Sequence, residues 1–143
     1  MSPGRGTVRT MEPAELAAAL AGHPATAGVG VLVLHGSRAR GDAGPAADWD
    51  LAYLTDDRLD APPPDPSALV AAATGLLGTD AVDLVDLATA SALLRFRAAR
   101  DGVLLLETRD GAFLDFRLEA VRFWCDAGPV IRAAQDDVLA SLG

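Results

Sequence analysis

The chain has 143 residues, half of them hydrophobic, with a formal net charge of −8 and one cysteine. A chain of this order makes one globular domain that buries roughly two-thirds of its unfolded surface, and it has no long uninterrupted apolar run to span a membrane. A lone cysteine excludes an internal disulfide and a zinc cluster. All 12 basic residues are arginine, which excludes a lysine Schiff base and a Walker A loop. An isoelectric point near 4.5 without a basic stripe argues against tight binding of RNA or DNA.

Met1 to Thr10 is polar and basic and lacks the apolar core and cleavage pattern of a signal peptide. It is expected to be a flexible extension, or a mis-assigned start preceding Met11, ahead of one domain over residues 11–143. With no signal peptide and no disulfide, the expected compartment is the cytoplasm. A helix is expected near Pro13 to Ala21. The apolar run Val29 to Leu34 predicts a strand and Trp49 to Leu54 a second. Between them lies a short helix with Ser37 as its N-cap, then a loop through Gly41, Gly44 and Pro45. Ala61-Pro-Pro-Pro-Asp-Pro66 reads as a linker opening a helix from about Ser67 to Leu77. Ala81 to Leu87, rich in Val and Leu, predicts a third strand. Ser91 is placed to cap the next helix, which ends at Asp101-Gly102, and Val103 to Glu107 reads as a short strand or a turn. Two C-terminal helices, roughly Ala112 to Cys125 and Pro129 to Leu142, complete the map.

Chemistry concentrates where the first two strands meet. Alternate strand residues share a face, with Cα atoms roughly 6.6 Å apart, so Asp48 and Asp50 point together while Trp49 points away. Two unit charges about 4 Å apart repel by roughly 4 kcal/mol at an effective dielectric near 20. A divalent cation compensates that repulsion, and carboxylates with retained waters and substrate phosphates suit Mg²⁺. Gly36 and Ser37 are placed to hold those phosphates: glycine permits close backbone approach, and serine adds a hydroxyl beside free helix N–H groups. Arg38 and Arg40 follow within one turn, with guanidinium geometry that matches phosphate. A third carboxylate is offered by the strand Ala81 to Leu87. Asp83 and Asp86 fall on opposite faces there. If Leu84 faces the core, Asp83 shares a side with Asp48 and Asp50, and Asp83 is preferred on that ground. His35 reads as a strand-end residue and not as half of a nucleophilic triad.

Gly36-Ser37-Arg-Ala-Arg-Gly41, the Asp48-Trp49-Asp50 pair, Val82-Asp83-Leu-Val-Asp-Leu87 and Arg100-Asp-Gly-Val-Leu-Leu-Leu-Glu107 together resemble the minimal nucleotidyltransferase (MNT) family. That family lies in the DNA polymerase β-like nucleotidyltransferase superfamily. The resemblance runs from about Val29 to the C-terminus, and its most specific element is the Gly-Ser pair followed after ten residues by Asp-x-Asp. Ala47 departs from the pattern, which often has serine before the first Asp. The resemblance implies an α/β (α+β) fold: a small mixed sheet flanked by helices, with C-terminal helices. It also implies Mg²⁺ held by Asp48, Asp50 and Asp83, and transfer of AMP from ATP. Many such proteins are antitoxins beside HEPN-domain ribonuclease toxins, and the implied acceptor is a tyrosine hydroxyl of the toxin. In that mechanism Gly36, Ser37 and Arg40 hold the terminal phosphates and two metals flank the α-phosphorus.

Charge and aromatic placement bear on the partner. Between Asp48 and Asp86 stand nine Asp and a single Arg, a local balance that equals the net −8 of the whole chain. A protein or small cationic acceptor suits that surface better than nucleic acid. Phe113, Phe116, Phe123 and Trp124 fall on more than one face of the predicted helix, so one face covers the sheet and leftover aromatics are available for a partner. Two other readings stand beside the antitoxin: a small-molecule nucleotidyltransferase of the aminoglycoside-modifying kind, and a non-catalytic module that neutralises its partner by occlusion.

Overall fold

The computed structural model describes residues 11–44, 46–56 and 62–142; the extension expected over residues 1–10 and the start of the proline-rich linker lie outside them. Four strands, β1 (Val29–His35), β2 (Trp49–Thr55), β3 (Val82–Asp86) and β4 (Val103–Glu107), form one mixed sheet in the order β3-β2-β1-β4. β1 runs antiparallel to both β2 and β4, and β2 pairs parallel with β3. The helices are α1 (Pro13–Leu20), α2 (Gly36–Arg40), α3 (Pro66–Leu77), α4 (Ala92–Asp101) and α5 (Ala112–Leu142). This is the mixed α/β architecture that the family resemblance implies.

β1 carries the sheet because its residues are apolar on both faces: every residue from Val29 to His35 is buried, as expected of a strand covered by helices above and below. On one face Leu32, Leu34, Trp49, Leu51 and Tyr53 pack with Leu16 and Leu20 of α1 and with Leu69 and Ala73 of α3. On the other, Val31, Val33 and Ala52 pack with Ala98 and Ala99 of α4 and with Phe113, Phe116 and Ala120 of α5. Each fully buried Leu or Val contributes about 1.5–3 kcal/mol, so the two layers clamp the central strands from both sides.

Local chemistry sets the helix ends. Asp65 accepts from Ser67 N at 3.0 Å, Pro66 occupies the first turn of α3, and Gly78 ends it at φ 69°. α3 thereby supplies the crossover that a parallel pair requires. Ser91 caps α4 as expected, its Oγ accepting from Leu94 N at 3.1 Å.

The C-terminal pair of helices is corrected to a single helix, α5, of 31 residues. Pro129 removes one backbone donor, yet the helix continues through it. Of the four aromatics expected on it, Phe113 and Phe116 are buried against the sheet, Phe123 is exposed, and Trp124 stacks on Phe96 at 5.2 Å between centroids.

Candidate active site

Strand register builds the site. Asp50 pairs with His35 across β1 and β2, and with Asp83 across β2 and β3, and paired residues of neighbouring strands share a face. That face is the one covered by α4 and α5, because Ala52, two residues on from Asp50, belongs to their core. Asp48, two residues back, continues the alternation just before β2 begins. Asp83 therefore stands beside Asp50, as the sequence preferred. Asp86 pairs with Tyr53 on the opposite face, where its Oδ1 accepts from Ala88 N at 2.9 Å; it secures the turn after β3.

The electrostatics match this arrangement. Burial pushes the Asp50 carboxyl above its usual range; His35 and Arg40 oppose the rise, and the like charges of Asp83 and Asp48 add to it. His35 is 8% exposed, and burial pushes its imidazole down, against the pull of Asp50, a hydrogen bond to the Leu51 backbone, and Asp83. Its Nε2 is buried without a hydrogen-bond partner.

Gly36 is required where it stands. It adopts φ +74°, and a Cβ there would collide with Asp50 Oδ2, so the carboxylate lies directly over the glycine backbone. Ser37 is not the N-cap: α2 starts at Gly36 with His35 in the cap position, which makes Ser37 the second helical residue. The left-handed Gly36 turns the chain into the helix one residue earlier than a serine cap would. The first-turn N–H groups and the Ser37 hydroxyl still stand at the end of β1 that holds the carboxylates.

The two arginines divide. Arg38 donates to the Ala47 carbonyl through Nε at 3.1 Å and through a terminal nitrogen at 2.8 Å, and its guanidinium lies 4.4 Å from the Trp49 ring centroid. It ties the loop back to the helix immediately before Asp48. Arg40 is exposed beside Asp42 at 3.3 Å, a surface pair that yields readily to a stronger anion.

Among the described residues no three His, Cys, Asp or Glu side chains are already gathered at metal-binding geometry. The donor set is that of a hard divalent cation: Asp50 and Asp83 pair across β2 and β3, and the like charges of Asp83 and Asp48 both act on Asp50. A cavity of about 480 Å³ opens at the opposite end of the sheet, among Val31, Leu54, Arg95, Thr108, Arg109 and Phe116. Its polar groups pair with one another: Arg109 pairs with Asp115 at 2.8 Å, and the Thr108 hydroxyl donates to Asp56 Oδ2 at 2.7 Å. The carboxylates of Asp50 and Asp83 stand at the other end of the sheet from this cavity. His35 is the residue at this end that sequence reasoning passed over. Its signal was the strand alternation that sets it on the face of Val31 and Val33.

Comparison with known proteins agrees with the geometry. Residues 20–110 match the family model described as "Polymerase beta, Nucleotidyltransferase". No curated protein matches the chain. Among solved structures the chain is similar to one in a toxin–antitoxin crystal structure with AMP-PNP, with TM-score 0.69, 25% identity, and coverage of 90% of this chain and 99% of the other. A chain of the MntA–HepT toxin–antitoxin structure shares the fold at TM-score 0.60 and 24% identity, covering 90% and 97%. A third structure holds a tri-AMPylated Shewanella oneidensis HEPN toxin in complex with its MNT antitoxin; the likeness there is TM-score 0.56 and 28% identity over 79% of this chain and 85% of the other. With the Gly-Ser turn and the acidic row on one sheet end, the chain belongs to the polymerase beta nucleotidyltransferase family, and its structural relatives are the minimal nucleotidyltransferases of toxin–antitoxin pairs.

Proposed function

We propose that this nucleotidyltransferase moves AMP from ATP to a hydroxyl, that of a tyrosine, on a HEPN-type toxin and so acts as its cytoplasmic antitoxin. The observation that carries the reading is the ladder register that sets Asp83 beside Asp50, with Asp48 on the same face and Gly36-Ser37 at the same sheet end. Likeness to chains from complexes with AMP-PNP and with an AMPylated toxin supports the nucleotide and the acceptor.

Asp48, Asp50 and Asp83 would hold Mg²⁺, which supplies charge neutralisation on the triphosphate and a lowered pKa for the attacking hydroxyl. The remaining work belongs to the chain. Backbone N–H groups at Gly36 and Ser37, the Ser37 hydroxyl and Arg40 hold the terminal phosphates, so positioning and fixed charge lower the barrier. The acceptor oxygen bonds to the α-phosphorus as the bond from that phosphorus to the bridging oxygen breaks. Pyrophosphate leaves, and the hydroxyl proton passes to a carboxylate, with Asp83 placed to take it.

The test incubates the purified protein with labelled ATP, Mg²⁺ and the HEPN protein encoded beside it. Label is expected on a toxin tyrosine with the wild type and at background with the Asp48→Asn, Asp50→Asn double variant. Neutralisation of the toxin that survives unchanged in that variant would establish occlusion instead, and label found only on an aminoglycoside would establish the small-molecule reading.

A further inference from the structure

β1, β2 and β3 each contribute one polar side chain to a single transverse row, His35 facing Asp50 and Asp50 facing Asp83. Cα atoms of such partners stand about 4.5–5.5 Å apart in antiparallel strands, so the imidazole and the carboxylates lie side by side on the α4–α5 face. His35 is the end of the row that solvent does not reach. It is 8% exposed, it continues the buried Val31 and Val33 along β1, and Nε2 has no hydrogen-bond partner. The charged groups that act on it are Asp50 and Asp83.

The inventory of this row is lopsided. A neutral imidazole has one N–H and one acceptor nitrogen; with Nε2 unpartnered, the N–H is assigned to Nδ1, toward the Leu51 backbone that acts on the ring. Nε2 is then a bare acceptor, beside carboxylates that are acceptors too. A buried polar atom left this way costs about 1–3 kcal/mol, and an apolar ring of similar size would avoid that cost. What the row lacks is a hydrated cation, which brings positive charge for the carboxylates and strongly polarised water protons for the imidazole. Mg²⁺ and Mn²⁺ keep several waters when carboxylates bind them.

We propose that His35 is a positioning residue for the metal, its Nε2 accepting a hydrogen bond from a water molecule of the cation that the acidic row holds. The inference rests on the reading of Asp48, Asp50 and Asp83 as the metal-holding set. Outer partners of this kind fix the orientation of the inner ligands, and their loss typically weakens metal binding by 10–100-fold.

The experiment titrates Mn²⁺, followed by its electron paramagnetic resonance signal, into wild type, His35→Phe, His35→Gln and Asp50→Asn, and records a thermal melt of each. His35→Phe is expected to melt no lower than wild type yet to bind Mn²⁺ at least about tenfold more weakly. His35→Gln, which returns an acceptor oxygen, is expected to recover affinity to within about threefold. Wild-type affinity in His35→Phe overturns the inference, and so does a His35→Gln as weak as His35→Phe, since shape alone would then explain the loss. If His35→Phe unfolds, His35→Leu carries the same comparison. Asp50→Asn separates the two readings. Unchanged Mn²⁺ binding there removes the acidic row itself, and the proposed function with it. Lost binding there with normal binding in His35→Phe sinks only the role of the histidine.

Discussion

Two glycines show how finely the site depends on single residues. Gly36 and Gly41 flank the same short helix, and both have left-handed backbones, at φ 74° and 81°. They differ in surroundings: a Cβ on Gly36 would strike Asp50 Oδ2, whereas nothing lies within 4 Å of one on Gly41. A side chain in the left-handed region costs about 1–2 kcal/mol wherever it sits. Gly41→Ala is therefore expected to lose about that much stability and to retain nucleotidyl transfer. Gly36→Ala bears the same backbone cost and also displaces the Asp50 carboxylate, so transfer is expected to fall by at least about 100-fold, in line with the loss when reacting groups shift by 1 Å. Thermal melts and labelled ATP transfer measured on the pair decide it; equal activity in the two variants would mean that Asp50 does not need its place above Gly36.

At the scale of elements, much of the site was legible because strand alternation is strict. A run such as Val29 to Leu34 can be stable only with helices on both faces, and Asp-Trp-Asp can bury its ring only by turning both carboxylates the other way. The same parity chose between Asp83 and Asp86, with Leu84 packed against the α1–α3 core. Three features were not legible. Ser37 is inside α2 because a left-handed Gly36 begins the helix early. α5 passes through Pro129 because one lost hydrogen bond does not outweigh the helical residues around it. His35 is buried at a strand end, where alternation gives its face but not whether anything covers it. The parity argument has a direct test. Asp83→Asn is expected to abolish transfer with little change in melting, while Asp86→Asn, which weakens the bond to Ala88 N, is expected to lose about 0.5–1.5 kcal/mol of stability and to transfer normally. The reverse pattern, read by the same two assays, would place the reactive face on the α1–α3 side.

Asp48, Asp50 and Asp83 place like charges at one end of a sheet whose two faces are otherwise apolar cores, so stability is coupled to the cation that this end receives. The usual carboxyl value is 3.8, and Asp50 lies above it in the folded protein, chiefly through burial. An acid raised on folding binds more protons folded than unfolded. Its contribution to metal-free stability is therefore fully present below 3.8 and is lost as pH rises through the folded value. A divalent cation acts in the opposite direction, because it binds the ionised carboxylates of the folded chain and finds no such row in the unfolded one. At a metal concentration about 100 times the dissociation constant this linkage amounts to about 2.7 kcal/mol, a rise in melting temperature on the order of 10 °C for a domain of this size. The rise produced by Mg²⁺ with a non-hydrolysable ATP analogue is expected near neutral pH. It is expected to shrink as pH falls through the raised Asp50 value and to vanish in Asp50→Asn or on chelation. Calorimetric melts across that pH range check it: a rise that persists undiminished in Asp50→Asn would show that the cation stabilises the protein from somewhere other than the acidic row.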